Sequence, residues 1–104
     1  MMKNLKFLAI VAALFLMYAC EQKTDVVESG TYQGKVDKVE AEKSEIYVKT
    51  DDGKRLELYF TDSTQLLKND AVVAFEELKE GQSVEVEVEK VGNRLDPITV
   101  KILE

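Results

Sequence analysis

Few side chains in this chain of 104 residues could carry covalent chemistry. Histidine and tryptophan are absent, and Cys20 is the single cysteine. Serine triads need an imidazole base, zinc sites need several thiolates or imidazoles, and thiol chemistry needs an activated sulfur, so these reaction classes lose essential parts. Carboxylates remain as acid–base candidates. Glu85, Glu87 and Glu89 recur at every second position, a spacing that a pleated strand produces by itself, with no apolar neighbour evident to shift their proton affinity. They predict a solvated strand face that discourages edge-to-edge association. Asp51 and Asp52, before Gly53, lack the periodic oxygen ligands of a calcium loop and fit turn chemistry instead. The expectation is no enzyme, no cofactor and no metal.

Recognition is the chemistry these residues suit better. Tyr47 and Tyr59 take outward positions on two neighbouring strands, flanked by Lys49 and Arg55. Flat rings with polar neighbours fit sugar rings or extended peptides. Against this stands the plain reading that tyrosine is simply a good strand residue on a pleated surface.

The elements that must position these residues are strands. Period-two alternation runs through Glu45 to Lys49, Arg55 to Phe60, Ser83 to Glu89 and Ile98 to Ile102, with the apolar set facing one way. An earlier strand, Thr31 to Val39, is less regular: Tyr32, Gly34 and Val36 share a face while Val39 falls on the other, which predicts strong coiling or a bulge. The turn around Asp52-Gly53 can be derived by parity. A two-residue loop would set Val48 against Glu57 and mix the faces, whereas three residues with Gly53 left-handed pair Val48 with Leu56 and Ile46 with Leu58. That register makes Tyr47 and Tyr59 diagonal neighbours.

Between the third and fourth strands the alternation fails. Ala71, Phe75 and Leu78 fall at i, i+4 and i+7, Asp70 is a fair N-cap and Gly81 a fair stop, which predicts a short helix ending at Lys79 or Glu80. Val72 and Val73 weaken its first turn. Gly92-Asn93 turns the chain between the last two strands, and Asp96-Pro97 must interrupt pairing before the final one.

Three strands, a short helix and two strands is the order of an OB-fold, in which the helix plugs one end of a small closed barrel. An SH3-like barrel is the main competitor. The residues are also similar to a family of small exported bacterial domains of unknown function with that barrel. The resemblance lies in Gly34-Lys35-Val36, Asp52-Gly53, Thr64, and the run from Phe75 through Gly81 to Val84. It implies a mainly β, five-stranded OB-fold-like domain over residues 30–104 and carries no catalytic residue with it.

Ahead of this domain, Lys3 and Lys6 precede an unbroken apolar stretch from Phe7 to Ala19. As a helix it would rise only ~20 Å, short of the ~30 Å core of a bilayer. A basic start, a short apolar middle and a small residue at the end make a secretory signal peptide of residues 1–19, read as a helix. Leu14 to Cys20 resembles the bacterial lipoprotein box. The resemblance implies a diacylglycerol on Cys20 and removal of residues 1–19; the polar run Glu21 to Ser29, without apolar periodicity, reads as a flexible tether that with Cys20 makes up residues 20–29. Glu21, rather than Asp, after the cysteine points by analogy to the outer membrane rather than the inner.

The whole chain has 14 basic and 20 acidic side chains; Lys3 and Lys6 leave with the leader, so 12 face 20 and the formal net charge moves from −6 to −8. Such a chain is repelled by phosphates, which argues against nucleic acid as a partner. Two functions remain: a membrane-anchored, noncatalytic module for an envelope oligosaccharide, peptide or protein, or an accessory subunit that docks by its exposed strand edge.

Overall fold

A computed structural model describes residues 23–103. The alternating segments form strands β1 (Gly30–Glu40), β2 (Glu45–Thr50), β3 (Arg55–Tyr59), β4 (Gln65–Lys68), β5 (Ala71–Val72), β6 (Ser83–Val91) and β7 (Arg94–Ile102). They make one sheet in the order β3-β2-β1-β6-β7-β4-β5. β1 is the long central strand, antiparallel to both β2 and β6, so the first three strands and the β6–β7 hairpin are joined through it. The apolar faces curl around one core, in which Ile46, Val48, Leu56, Leu58, Val84, Val86 and Val100 are fully buried.

The irregularity expected in β1 is a bulge. Val36 pairs with Val48 and Lys38 with Tyr47, which leaves Asp37 as the extra residue and returns Val39 to the level of Ile46. Parity is thereby restored, because one inserted residue moves every later side chain to the other face. Gly34 is needed for a different reason: a Cβ there would lie 2.2 Å from the Lys49 carbonyl oxygen. The β2–β3 turn is the three-residue loop that parity requires. Thr50 and Lys54 close it, Gly53 has φ +88°, and Val48 meets Leu56 while Ile46 meets Leu58.

Three expectations are corrected. The sheet has seven strands rather than five, because the stretch between the third strand and Gly81 holds the β4–β5 hairpin, whose second strand takes the first residues of the expected helix. Asn69 and Asp70 both take positive φ, 54° and 66°, the backbone of a tight two-residue hairpin turn that Asn and Asp tolerate. β-branched Val72 and Val73 then continue in extended form, and only a 3-10 turn remains, Phe75–Glu77. No α-helix forms among the described residues. Phe75 packs edge-on against Phe60 with ring centroids 5.0 Å apart, and Leu78 is buried, so the apolar spacing served a turn that lids the core. Second, the last strand begins at Arg94 rather than Ile98. Pro97 sits opposite Val88 inside the ladder and the interruption is a bulge at Ile98, since Glu87 pairs with Thr99. Third, the sheet is not closed into a barrel: β3 and β5 are its two edges. The signal-peptide helix and Cys20 lie outside the described residues, and among those described no helix is long and apolar enough to cross a membrane.

Candidate functional site

The outer face of β2 and β3 is built by the register just described. Glu45 stands opposite Tyr59, Tyr47 opposite Glu57 and Lys49 opposite Arg55. Tyrosines and glutamates therefore alternate like the squares of a checkerboard, with the two phenols on one diagonal and the two carboxyls on the other. Sequence reasoning named Tyr47, Tyr59, Lys49 and Arg55 but missed both glutamates. The signal was present, because once the register is fixed Glu45 and Glu57 share the outward parity of the tyrosines.

The structure brings Tyr47, Tyr59 and Arg55 together and leaves Lys49 exposed at the end of the row. The two tyrosines differ. Tyr59 is 48% exposed, whereas the Tyr47 ring is covered by the Arg55 guanidinium, 4.2 Å from its centroid. Lys38 lies 5.9 Å from the same ring. Such cation–ring contacts hold a planar guanidinium flat on the aromatic face. Arg55 is steadied from the other side by the bulge residue, its Nε donating to Asp37 Oδ2 at 3.1 Å. Lys38 in turn pairs with Glu40 at 2.8 Å. The surface is thus a tyrosine roofed by cations beside a tyrosine open to solvent, rather than two bare rings.

Beneath them lies an unusual carboxyl. Glu45 is only 1% exposed although it points outward, and its Oε2 has no hydrogen-bond partner among the described residues. An ionised carboxylate in that position would be costly. Burial, followed by the neighbouring Glu57 carboxyl, pushes the Glu45 proton affinity up. The hydrogen bond with Glu45 comes first among the causes that hold Glu57 below the usual carboxylate range. The two carboxyls are thus pushed in opposite directions, Glu45 toward its neutral form and Glu57 toward its ionised form, as happens when two like-charged groups share one site. The Tyr47 hydroxyl donates to Glu57 Oε2 at 3.3 Å. Burial and then the Glu57 charge push the Tyr47 phenol to about 12, and the hydrogen bond with Glu45 heads the causes that push Tyr59 to about 12. Both phenols are neutral donors at physiological pH.

Two hollows flank this cluster and share Glu57 and Thr24. One, of about 550 Å³, is lined by Thr24, Asp37, Lys38, Tyr47, Arg55, Glu57 and Glu80. The other, of about 330 Å³, runs between β3 and the β6–β7 turn, with Tyr59, Val26 and Leu95 among its walls. The site offers two donors, an ionised acceptor and a fixed guanidinium around open space. The carboxyl with the raised proton affinity, Glu45, is sealed from that space, and the groups that face it are those that hold a polar ligand by hydrogen bonds.

Neither a family model nor a curated relative matches the sequence. Solved structures do match in fold. The copper(II) form of a tryptophan-to-alanine variant of CusF from Escherichia coli superposes with a TM-score of 0.59 at 17% identity, over 74% of this chain and 94% of that one. Ag(I)-CusF gives 0.57 at 17% identity, over 73% and 99%. The chain therefore has the fold of a small OB-like β domain. The comparison also corrects the partner expectation: structures with this fold carry copper and silver, so a metal cannot be struck from the list on composition alone. The donors present on this chain are of another kind. Thioether, thiol and imidazole are absent from residues 23–103, and no three His, Cys, Asp or Glu side chains converge among the described residues. These residues do not fit a soft Cu(I) or Ag(I) ion, which selects sulfur ligands; carboxylate and phenol oxygens suit harder cations.

Proposed function

We propose that this chain is a bacterial lipoprotein, anchored through Cys20 after removal of residues 1–19, whose OB-like domain is a noncatalytic binding module in the cell envelope, on the outer membrane. The ligand is an oligosaccharide, a peptide or a protein surface, taken up over the outer face of β2 and β3. One observation carries this reading: Tyr47, Tyr59, Arg55 and Glu57 converge beside two hollows while the remaining carboxyl of the group, Glu45, is buried behind them. An arrangement that buries a carboxyl beneath exposed hydrogen-bonding groups is more than a solvated strand face needs. The test compares the intact protein with a Tyr59→Ala, Arg55→Ala variant in pull-downs against cell-wall glycans and envelope proteins, with metal titration as a parallel arm. Retention by the intact protein and its loss in the variant is the expected result. Unchanged retention would remove this face from consideration.

A second reading is favoured by the edge of β3. The Asp25 N–H donates to the Arg55 carbonyl at 2.7 Å, and the Arg55 N–H donates to Asp25 Oδ2 at 2.9 Å. The outward backbone groups of Glu57 and Tyr59 continue along the same edge strand. A partner strand could extend what Asp25 begins. Crosslinking from position 59 in cells would then trap one defined protein.

A further inference from the structure

The chain enters the described fold at the candidate site itself. Thr24 lines both hollows, and Asp25 is tied by two hydrogen bonds to Arg55, the residue whose guanidinium covers Tyr47. The segment that follows is held at its far end as well. Ser29 Oγ accepts from the Lys90 N–H at 2.8 Å, Glu28 pairs with the Lys90 ammonium at 3.1 Å, and the Tyr32 hydroxyl donates to the Glu28 carbonyl at 2.7 Å. A strap pinned at both ends has no slack to give, so any freedom between anchor and domain is confined to the residues before it.

That freedom is small. Cys20 and Thr24 are four residues apart, a span of at most ~14 Å when fully extended. A domain of about 80 residues has a radius of gyration of roughly 12 Å and so a breadth near 30 Å. An anchor of that reach cannot pass around the domain to put its far side on the bilayer. The charge of this face is balanced, Arg55 pairing with Asp37 and Lys38 with Glu40, so the short reach of the anchor sets the orientation; the outer face of β6, beyond β1, carries Glu85 and Glu87.

We propose that the strap holds the outer face of β2 and β3 toward the membrane, so that the surface this site meets is the lipid headgroup layer and any ligand it takes is one presented there. The proposal deepens the reading given under the proposed function and rests on the lipid anchor at Cys20. The experiment uses the full mature lipidated protein in vesicles of phosphatidylethanolamine and phosphatidylglycerol that contain a headgroup-attached spin-label quencher. Since Cys20 is occupied by lipid, one added cysteine labels uniquely. Fluorophores at Lys49→Cys and, as a second near position in the exposed turn, Lys54→Cys are expected to be quenched several-fold more than one at Glu87→Cys. Equal quenching, or stronger quenching at position 87, would overturn the orientation. The intact mass of the same sample separates the two claims. Lipidated protein with equal quenching defeats the orientation alone, whereas an unmodified thiol on Cys20 defeats the anchor and the orientation with it.

Discussion

Glutamates occupy outward strand positions in two parts of this molecule and meet opposite fates. On β6, Glu87 and Glu89 are exposed and Glu85 is half-buried, facing Gln33 on one side and Lys101, 3.8 Å away, on the other. On β2 and β3, Glu45 and Glu57 have tyrosines as their cross-strand neighbours, and Glu45 is sealed from solvent. The alternation that places both sets is the same. What differs is the bulk of the side chain opposite, because a ring can lie over a carboxyl where a threonine or lysine leaves it wet. Parity along a strand therefore tells which way a side chain points, and its cross-strand partner decides whether it meets water.

The sharpest way to break this contrast is to remove the geometry under one half of it. Gly34→Ala forces a methyl to within 2.2 Å of the Lys49 carbonyl oxygen and 2.8 Å of the Thr50 Cα, backbone that cannot turn aside. We expect a loss of about 3 kcal/mol or more, a fall in Tm on the order of 10 °C or more by calorimetry. Gly53→Ala, strained by its positive φ but with nothing within 4 Å, should cost about 1 kcal/mol.

The contrast is next sharpened by truncating one glutamate from each region. Glu57→Ala leaves the half-buried Tyr47 hydroxyl without its acceptor and should cost about 1–3 kcal/mol in urea unfolding. Glu87→Ala, on the wet face, should stay within about 0.5 kcal/mol. Equal costs would show that the two sets of glutamates do not differ in kind.

The smallest effect is one of pH. The proton affinity of Glu45 is raised on folding, so its neutral form is favoured and stability falls as pH rises through that raised value. Glu57 works in the opposite sense, its affinity lowered, so that its contribution is lost as pH falls through the lowered value. Glu45→Gln keeps a neutral hydrogen-bond donor and removes only the first dependence. The stability of the variant relative to the natural protein is expected to climb as pH rises from the ordinary carboxylate range through the raised value, and to level off above it. A parallel measurement on Glu87→Gln should give a flat difference.

Much of the fold could be read from residue order because the alternation is strict where strands are long. The β2–β3 register followed from the parity of Val48 and Leu56, and the slip in β1 from the phase of Val39. The β4–β5 hairpin could not be read, because Asn69-Asp70 is equally an N-cap signal and Ala71, Phe75 and Leu78 match a helical period by coincidence of a turn. Tertiary packing against Phe60 decided between them. The open tyrosine of the candidate site was legible, and so was its diagonal partner. Its carboxyls were not, since burial of an outward Glu45 depends on side chains from a second strand. Nor was the guanidinium roof over Tyr47, which depends on Asp37 being pushed out of the ladder by the bulge.

The strap formed by residues 24–29 has a practical corollary for anyone producing the domain. Because Asp25 occupies the backbone of Arg55 at the rim of the sheet, a recombinant version trimmed to begin at Gly30 would add the Arg55 groups to the open ones of Glu57 and Tyr59 and lengthen the sticky border to the whole of β3. Such a product should self-associate on the bench, whereas one that starts at Lys23 keeps its own stopper and stays dispersed.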